Sequence, residues 1–187
     1  MKRVKDNITN EQFKVLMSHL RGDVSIRENR KQRLHCIFLP LYYTGLRVNE
    51  TTQFKNSMLL ELINTGRLII KTHKTQSERV LLLTPKGQKV LKIEFEGLKD
   101  TEELLIQSER STKELSPNSV IRDVNGYLKR VFGVNTRITS HSFRQTLITE
   151  LANAGINTKL IQHLIGHNSI NSTLRIYDLA RLIYLVV

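Results

Sequence analysis

Residues 139–167 read TSHSFRQTLITELANAGINTKLIQHLIGH. Thr139 or Ser140 is placed to cap a helix. That helix should end near Gly155, and a shorter one from Thr158 should end at Gly166. Ile148, Leu151 and Ala152 before the turn Ala154-Gly155-Ile156, with Leu160, Ile161 and Leu164 after it, fit a helix-turn-helix. His141 and Arg144 stand at i and i+3, on one face and in the first turn. Unsatisfied N–H groups and the positive end of the helix dipole favour a phosphate there. A histidine can take a proton near neutral pH, and a guanidinium can hold developing charge on two oxygens. Gly166 ends the second helix and presents His167, a position that the dipole alone also favours for histidine.

Upstream, Thr9 or Asn10 should cap a first helix with Phe13, Leu16, Met17 and Leu20 at helical spacing. Leu34 to Tyr43 reads as a buried helix stopped by Gly45, with Pro40 a possible kink. A further helix is expected just after Arg47. Arg67 to Lys71 and Arg79 to Leu83 read as two strands of a hairpin around the polar turn Thr72 to Glu78. Thr84-Pro85 opens a helix near Lys86 to Phe95. Gly97 to Leu115 is charged and poorly periodic, so it is expected to be a mobile surface stretch. Ser116-Pro117 starts a helix running to about Phe132. Ser172 should cap a last helix carrying Tyr177. The expected fold is mainly α with a small antiparallel β-sheet, in the α+β class.

The chain has 187 residues, of which 40% are apolar. That length suits a single domain with a real core. The formal net charge of +12 points to a polyanionic partner, usually nucleic acid, although a soluble basic protein needs none. Cys36 is the only cysteine, so no intrachain disulfide forms, and its apolar surroundings suit the core. Met1 to Asn7 is polar and charged with no apolar run behind it, so a signal peptide is not expected. No apolar stretch approaches the roughly 20 residues of a membrane span. An intracellular, cytoplasmic protein that associates with DNA fits these features.

Four further residues complete a constellation with His141 and Arg144. Arg47 lies in Thr44-Gly45-Leu46-Arg47-Val48-Asn49-Glu50, at the junction of two predicted helices. Lys74 lies in the hairpin turn. His167 follows Gly166, and Tyr177 comes ten positions after His167. In this order the set resembles the tyrosine recombinase (phage integrase-like) family, from about Ile8 to about Leu179. The resemblance implies that Arg47 grips a non-bridging oxygen of the scissile phosphate with Glu50 holding it in place, that His141 and Arg144 form the family's second box, and that His167 donates a hydrogen bond to the phosphate. It implies that Lys74 protonates the leaving 5′ oxygen, with Lys71 as the neighbouring alternative. Tyr177 is the implied nucleophile and Tyr184 its nearest rival. A phenol has an ordinary pKa of about 10, so it needs a base or a cationic site. The sequence departs from the family where Gln145 follows Arg144 in place of histidine, and where Thr51 and Thr52 occupy usually apolar positions.

The resemblance implies a site-specific recombinase that cuts and rejoins strands of double-stranded DNA through a 3′-phosphotyrosine, as a homo-tetramer on DNA. Neither nucleotide cofactor nor metal is required by that chemistry. Two other readings use the same features. A helix-turn-helix regulator would need neither the His141–Arg144 pair nor Tyr177. A type IB topoisomerase would share the chemistry but act as a monomer. Family members usually carry an N-terminal core-binding domain. Residues 1–187 are therefore expected to be the catalytic domain alone, as a fragment or as a naturally minimal member. The apolar tail Leu182 to Val187 is expected to dock on its own domain or on a neighbouring protomer, because burial of each large apolar side chain contributes about 1.5–3 kcal/mol.

Overall fold

Thr9 starts the first helix with a reciprocal cap: its side chain accepts from the Gln12 N–H, and the Gln12 side chain accepts from the Thr9 N–H. The helix, α1 (Asn10–Gly22), buries Phe13, Leu16, Met17 and Leu20, the four residues its periodicity selects. A computed structural model describes residues 6–71, 78–108 and 114–165. The chain divides into two units, residues 1–54 with 104–147 and residues 55–103 with 148–187.

In the first unit, α1 packs on α2 (Glu28–Thr44) and on α5 (Pro117–Phe132). The α2 helix begins six residues before the apolar run that announces it, because its first turns are polar and only partly buried. It ends at Gly45, whose φ of 63° is left-handed and whose N–H donates to the Leu41 carbonyl. Pro40 is accommodated inside this helix. Ser116 caps α5 by accepting from the Ser119 N–H, with Pro117 at the first helical position, which loses nothing there because that N–H is unsatisfied in any helix. The core is aromatic at its centre. Phe38 lies between Phe143 and Tyr127, with ring centroids 5.8 and 6.2 Å away, and Phe13 stacks on Tyr42 at 3.7 Å. Cys36 is partly buried, and desolvation pushes its thiol up to about 12, which makes it a poor nucleophile at neutral pH.

Two expectations need correction here. No helix starts directly after Arg47. A turn leads into a short 3-10 helix, Thr51–Gln53, and α3 begins only at Asn56. The cause is local. The Thr51 hydroxyl donates to the Val48 carbonyl at 2.6 Å, and the Thr52 hydroxyl lies 3.0 Å from the Asn49 carbonyl and 2.6 Å from the Glu114 carboxylate. Such bonds compete with helix formation. They also explain how two threonines sit fully buried at positions where apolar residues are usual. The stretch 97–115 is not simply a surface segment. Ile106 is 1% exposed, and the Leu105 N–H donates to the Phe54 carbonyl at 2.7 Å.

The second unit contains α3 (Asn56–Thr65), the strands β1 (Arg67–Lys71) and β2 (Glu78–Leu82), α4 (Pro85–Glu94) and α7 (Thr158–Ile165). The strands are antiparallel, with Arg67 opposite Leu82 and Lys71 opposite Glu78. Leu68, Ile70, Val80 and Leu81 are buried. Thr84 caps α4 by accepting from the Gly87 N–H, as Thr84-Pro85 predicts. The sixth helix, α6 (Ser142–Asn153), passes from the first unit's residues into the second's. Its end is a Schellman motif: the Ile156 N–H donates to the Leu151 carbonyl and the Gly155 N–H to the Ala152 carbonyl, with Gly155 at φ 77° and Leu151 and Ile156 both buried. The strand and helix limits expected around 67–95 and 142–165 hold to within about one turn. Gly166 and the expected last helix lie outside the described residues, as does the tail. The mainly helical fold with one small antiparallel sheet agrees with the expectation.

Candidate active site

Arg47 sits where the chain leaves α2, two residues beyond Gly45. The left-handed Gly45 turns the backbone sharply, and a Cβ there would meet Leu147 Cδ2 at 2.6 Å. A side chain at this position would therefore face both an unfavourable φ and a packed neighbour. Glu50 then grips Arg47 twice. Its carboxylate accepts from the Arg47 N–H at 2.7 Å and from the Arg47 Nη1 at 3.0 Å, while the Glu50 N–H donates to the Arg47 carbonyl at 2.8 Å. The Glu50 side chain is 8% exposed and that of Arg47 30%. A buried carboxylate thus orients a guanidinium that still reaches solvent.

His141 and Arg144 enter through the start of α6. Two hydroxyls hold the turn that leads into it: that of Thr139 accepts from the His141 N–H at 3.4 Å, and that of Ser142 accepts from the Thr139 N–H at 3.0 Å. The helix itself begins at Ser142, with the Gln145 N–H donating to the His141 carbonyl, so His141 rather than the expected Thr139 or Ser140 flanks its first residue. Ser142 and Phe143 are fully buried, whereas His141 is exposed. Arg144 is 9% exposed. Its Nη1 donates to the Gly45 carbonyl at 3.0 Å. The two arginine segments, 99 residues apart in sequence, therefore meet in one unit. Two residues further along α6, the Thr146 hydroxyl bonds to the backbone of Ile8, whose N–H donates to it at 2.9 Å.

Of the six residues singled out in the sequence, Arg47, His141 and Arg144 lie in the first unit. Lys74, His167 and Tyr177 lie outside the described residues, as does Tyr184. Lys71, the alternative to Lys74, ends β1 opposite Glu78 and is exposed. Three supporting contacts escape a reading of the sequence. Gly45 contributes a carbonyl to Arg144, Asn125 accepts from the Ser140 N–H at 2.8 Å, and Thr146 holds Ile8. Each acts across a long sequence separation, and no local pattern marks it. Among the described residues, no helix is long and apolar enough to cross a membrane.

The same segments are shared with known proteins. The phage integrase family pattern matches residues 6–181. The tyrosine recombinase XerA of Pyrococcus horikoshii is 32% identical over 158 residues, covering 80% of this chain and 51% of that protein. The chain spans about half the length of the curated relatives it matches. Among solved structures, the integrase from mycobacterium phage Brujita superposes with a TM-score of 0.66 at 21% identity, over 100% of this chain and 60% of that one. The XerH site-specific recombinase bound to its palindromic difH substrate, in a post-cleavage complex, gives 0.62 at 19% identity, over 93% and 51%. The fold is that of these recombinases. A pattern match that spans both arginine segments and nearly the whole chain places this protein in the phage integrase family.

Proposed function

We propose that this chain is the catalytic domain of a site-specific tyrosine recombinase, acting on double-stranded DNA. The observation that carries the reading is the meeting of the two arginine segments, with Arg144 bonded to the Gly45 carbonyl and Arg47 oriented by Glu50. Two guanidiniums fixed on adjoining backbone suit the non-bridging oxygens of one phosphate. Such preorganised charge stabilises a transition state without reorganisation at the moment of reaction.

In this mechanism the Tyr177 phenolic oxygen attacks the scissile phosphorus. A bond forms between that oxygen and phosphorus, and the bond from phosphorus to the 5′ oxygen breaks. The phenolic proton leaves to a base, the role this reading gives to His141. Lys74 gives a proton to the departing 5′ oxygen. The products are a 3′-phosphotyrosine and a free 5′ hydroxyl. An incoming 5′ hydroxyl reverses each transfer and rejoins the strand. His167 adds a hydrogen bond to the phosphate. Full strand exchange uses four protomers on two DNA sites, so a homo-tetramer on DNA is part of the proposal, as is a cytoplasmic, nucleoid-associated location.

A DNA-binding regulator would account for the tight turn between α6 and α7. It would not account for a carboxylate held on Arg47 or for a partly exposed guanidinium beside a buried one. The test is incubation with nicked suicide sites from the protein's own genomic neighbourhood. A recombinase traps a covalent protein–DNA species that survives denaturing electrophoresis. Binding without any such species would favour the regulator.

A further inference from the structure

We infer that Asn125 is a positioning residue for His141, acting through the turn that starts α6; the inference rests on the recombinase reading above. Asn125 lies in the middle of α5, where asparagine is a weak helix former, so its presence is not explained by the helix. Its neighbour Val124 is fully buried in the core. The Asn125 Oδ1 accepts the Ser140 N–H at 2.8 Å, fifteen residues away, and so joins a rigid core helix to the residue immediately before His141.

The turn itself alternates inward and outward. Ile138, Ser140, Ser142 and Phe143 are buried, and His141 is exposed between them. With the Ser140 N–H drawn towards α5, His141 is left on the outer side at the mouth of the helix. The Ser140 hydroxyl is buried and finds no hydrogen-bond partner among the described residues. A hydroxyl desolvated without a partner is unfavourable. The bond from the Thr139 N–H to the Ser142 hydroxyl ties the turn to the first residue of α6; the bond from Asn125 fixes where the turn before it lies. Both are needed to define where the imidazole stands relative to Arg144.

The test uses the full chain with nicked DNA, in single-turnover cleavage with DNA affinity and thermal unfolding measured alongside. Asn125→Leu keeps the branching at Cγ and removes the acceptor. Asn125→Asp keeps an acceptor oxygen at the same reach. Loss of the bond should slow cleavage roughly tenfold to a hundredfold, the scale of a misplaced catalytic group, with DNA affinity unchanged. Asn125→Asp should keep most of the rate. His141→Ala should slow the Asn125→Leu protein much less than it slows the wild type, because the imidazole is already misplaced. Gly126→Ala is a stabilising background, since a Cβ there meets nothing within 4 Å, and the cycle is repeated in it if Asn125→Leu lowers the melting temperature. The inference is overturned by a wild-type rate in Asn125→Leu. Additive effects with His141→Ala overturn it too, as does an Asn125→Leu protein that fails to fold even with Gly126→Ala, which would make the bond a fold element. If the wild type itself forms no covalent adduct, the recombinase reading fails instead.

Discussion

Arg47 and Arg144 are held by different partners, and their variants should fail differently. The Arg47 side chain is partly exposed, and without it the buried Glu50 carboxylate still keeps the Arg47 N–H as a partner, so Arg47→Ala should lower the melting temperature less than Arg144→Ala does. Arg144 is buried and donates to the Gly45 carbonyl. Its loss removes that donor from a buried acceptor, which destabilises by about 1–3 kcal/mol. Both variants should slow single-turnover cleavage by roughly a hundredfold to a thousandfold. Thermal unfolding together with cleavage kinetics checks the split, and equal stability losses for the two would contradict it. The pair Arg47–Glu50 is legible in the sequence because it is local, at i and i+3. The bond from Arg144 to Gly45 is not, because nothing in either segment encodes a partner 99 residues away. His141-x-x-Arg144 is readable as two groups on one helix face, but the support from Asn125 becomes visible only once α5 and α6 are packed.

At the scale of elements, capping chemistry makes three helix starts readable: Thr9, Thr84 and Ser116 each cap the helix they announce. The start of α2 is hidden because its first turns present no apolar stripe, and the turn after Arg47 is hidden because the Thr51 and Thr52 hydroxyls bond to nearby carbonyls. The link from α1 to α2 carries a buried polar network that no periodicity reveals. Asp23 accepts from the Ser25 hydroxyl at 2.5 Å and its N–H at 3.0 Å, from Tyr127 at 3.3 Å, and pairs with Arg130 at 3.1 Å. The bond from the Ser25 hydroxyl, supported by the Ser25 N–H, Arg130 and Tyr127, holds the Asp23 carboxyl below its ordinary value of 3.8 in spite of desolvation. A lowered folded value means that the stabilisation is present above 3.8 and is lost as the pH falls through the folded value. Burial, and then the Asp23 charge, push Tyr127 up to about 12 from 10.0. A raised value for a phenol means that its stabilisation is present below 10.0 and is lost as the pH rises towards about 12. Melting temperatures should therefore fall at both extremes. Asp23→Asn should lower the melting temperature at neutral pH and flatten the acid limb. An acid limb as steep in Asp23→Asn as in the wild type would contradict the assignment.

For the whole molecule, the basic composition and the order of six residues along the chain point to the family, and the pattern match over residues 6–181 bears that out. The division into two units is not legible in the same way, because residues 104–147 return to the unit begun by 1–54, and the sequence carries no linker to mark the exchange. The excess of Lys and Arg over Asp and Glu, 29 against 17, predicts electrostatic binding to DNA. Log affinity should fall linearly with log salt, with a slope of about −0.9 per phosphate neutralised, and a fluorescence titration insensitive to salt would contradict it. The most direct test of the central claim is to map the covalent link itself. The wild-type protein is trapped on a nicked suicide site and digested, and the nucleotide-bearing peptide is sequenced by mass spectrometry. The account predicts that the modified residue is Tyr177, and that Tyr177→Phe binds the same DNA but forms no adduct. An adduct on Tyr184 or any other residue, or an undiminished adduct in Tyr177→Phe, would contradict it.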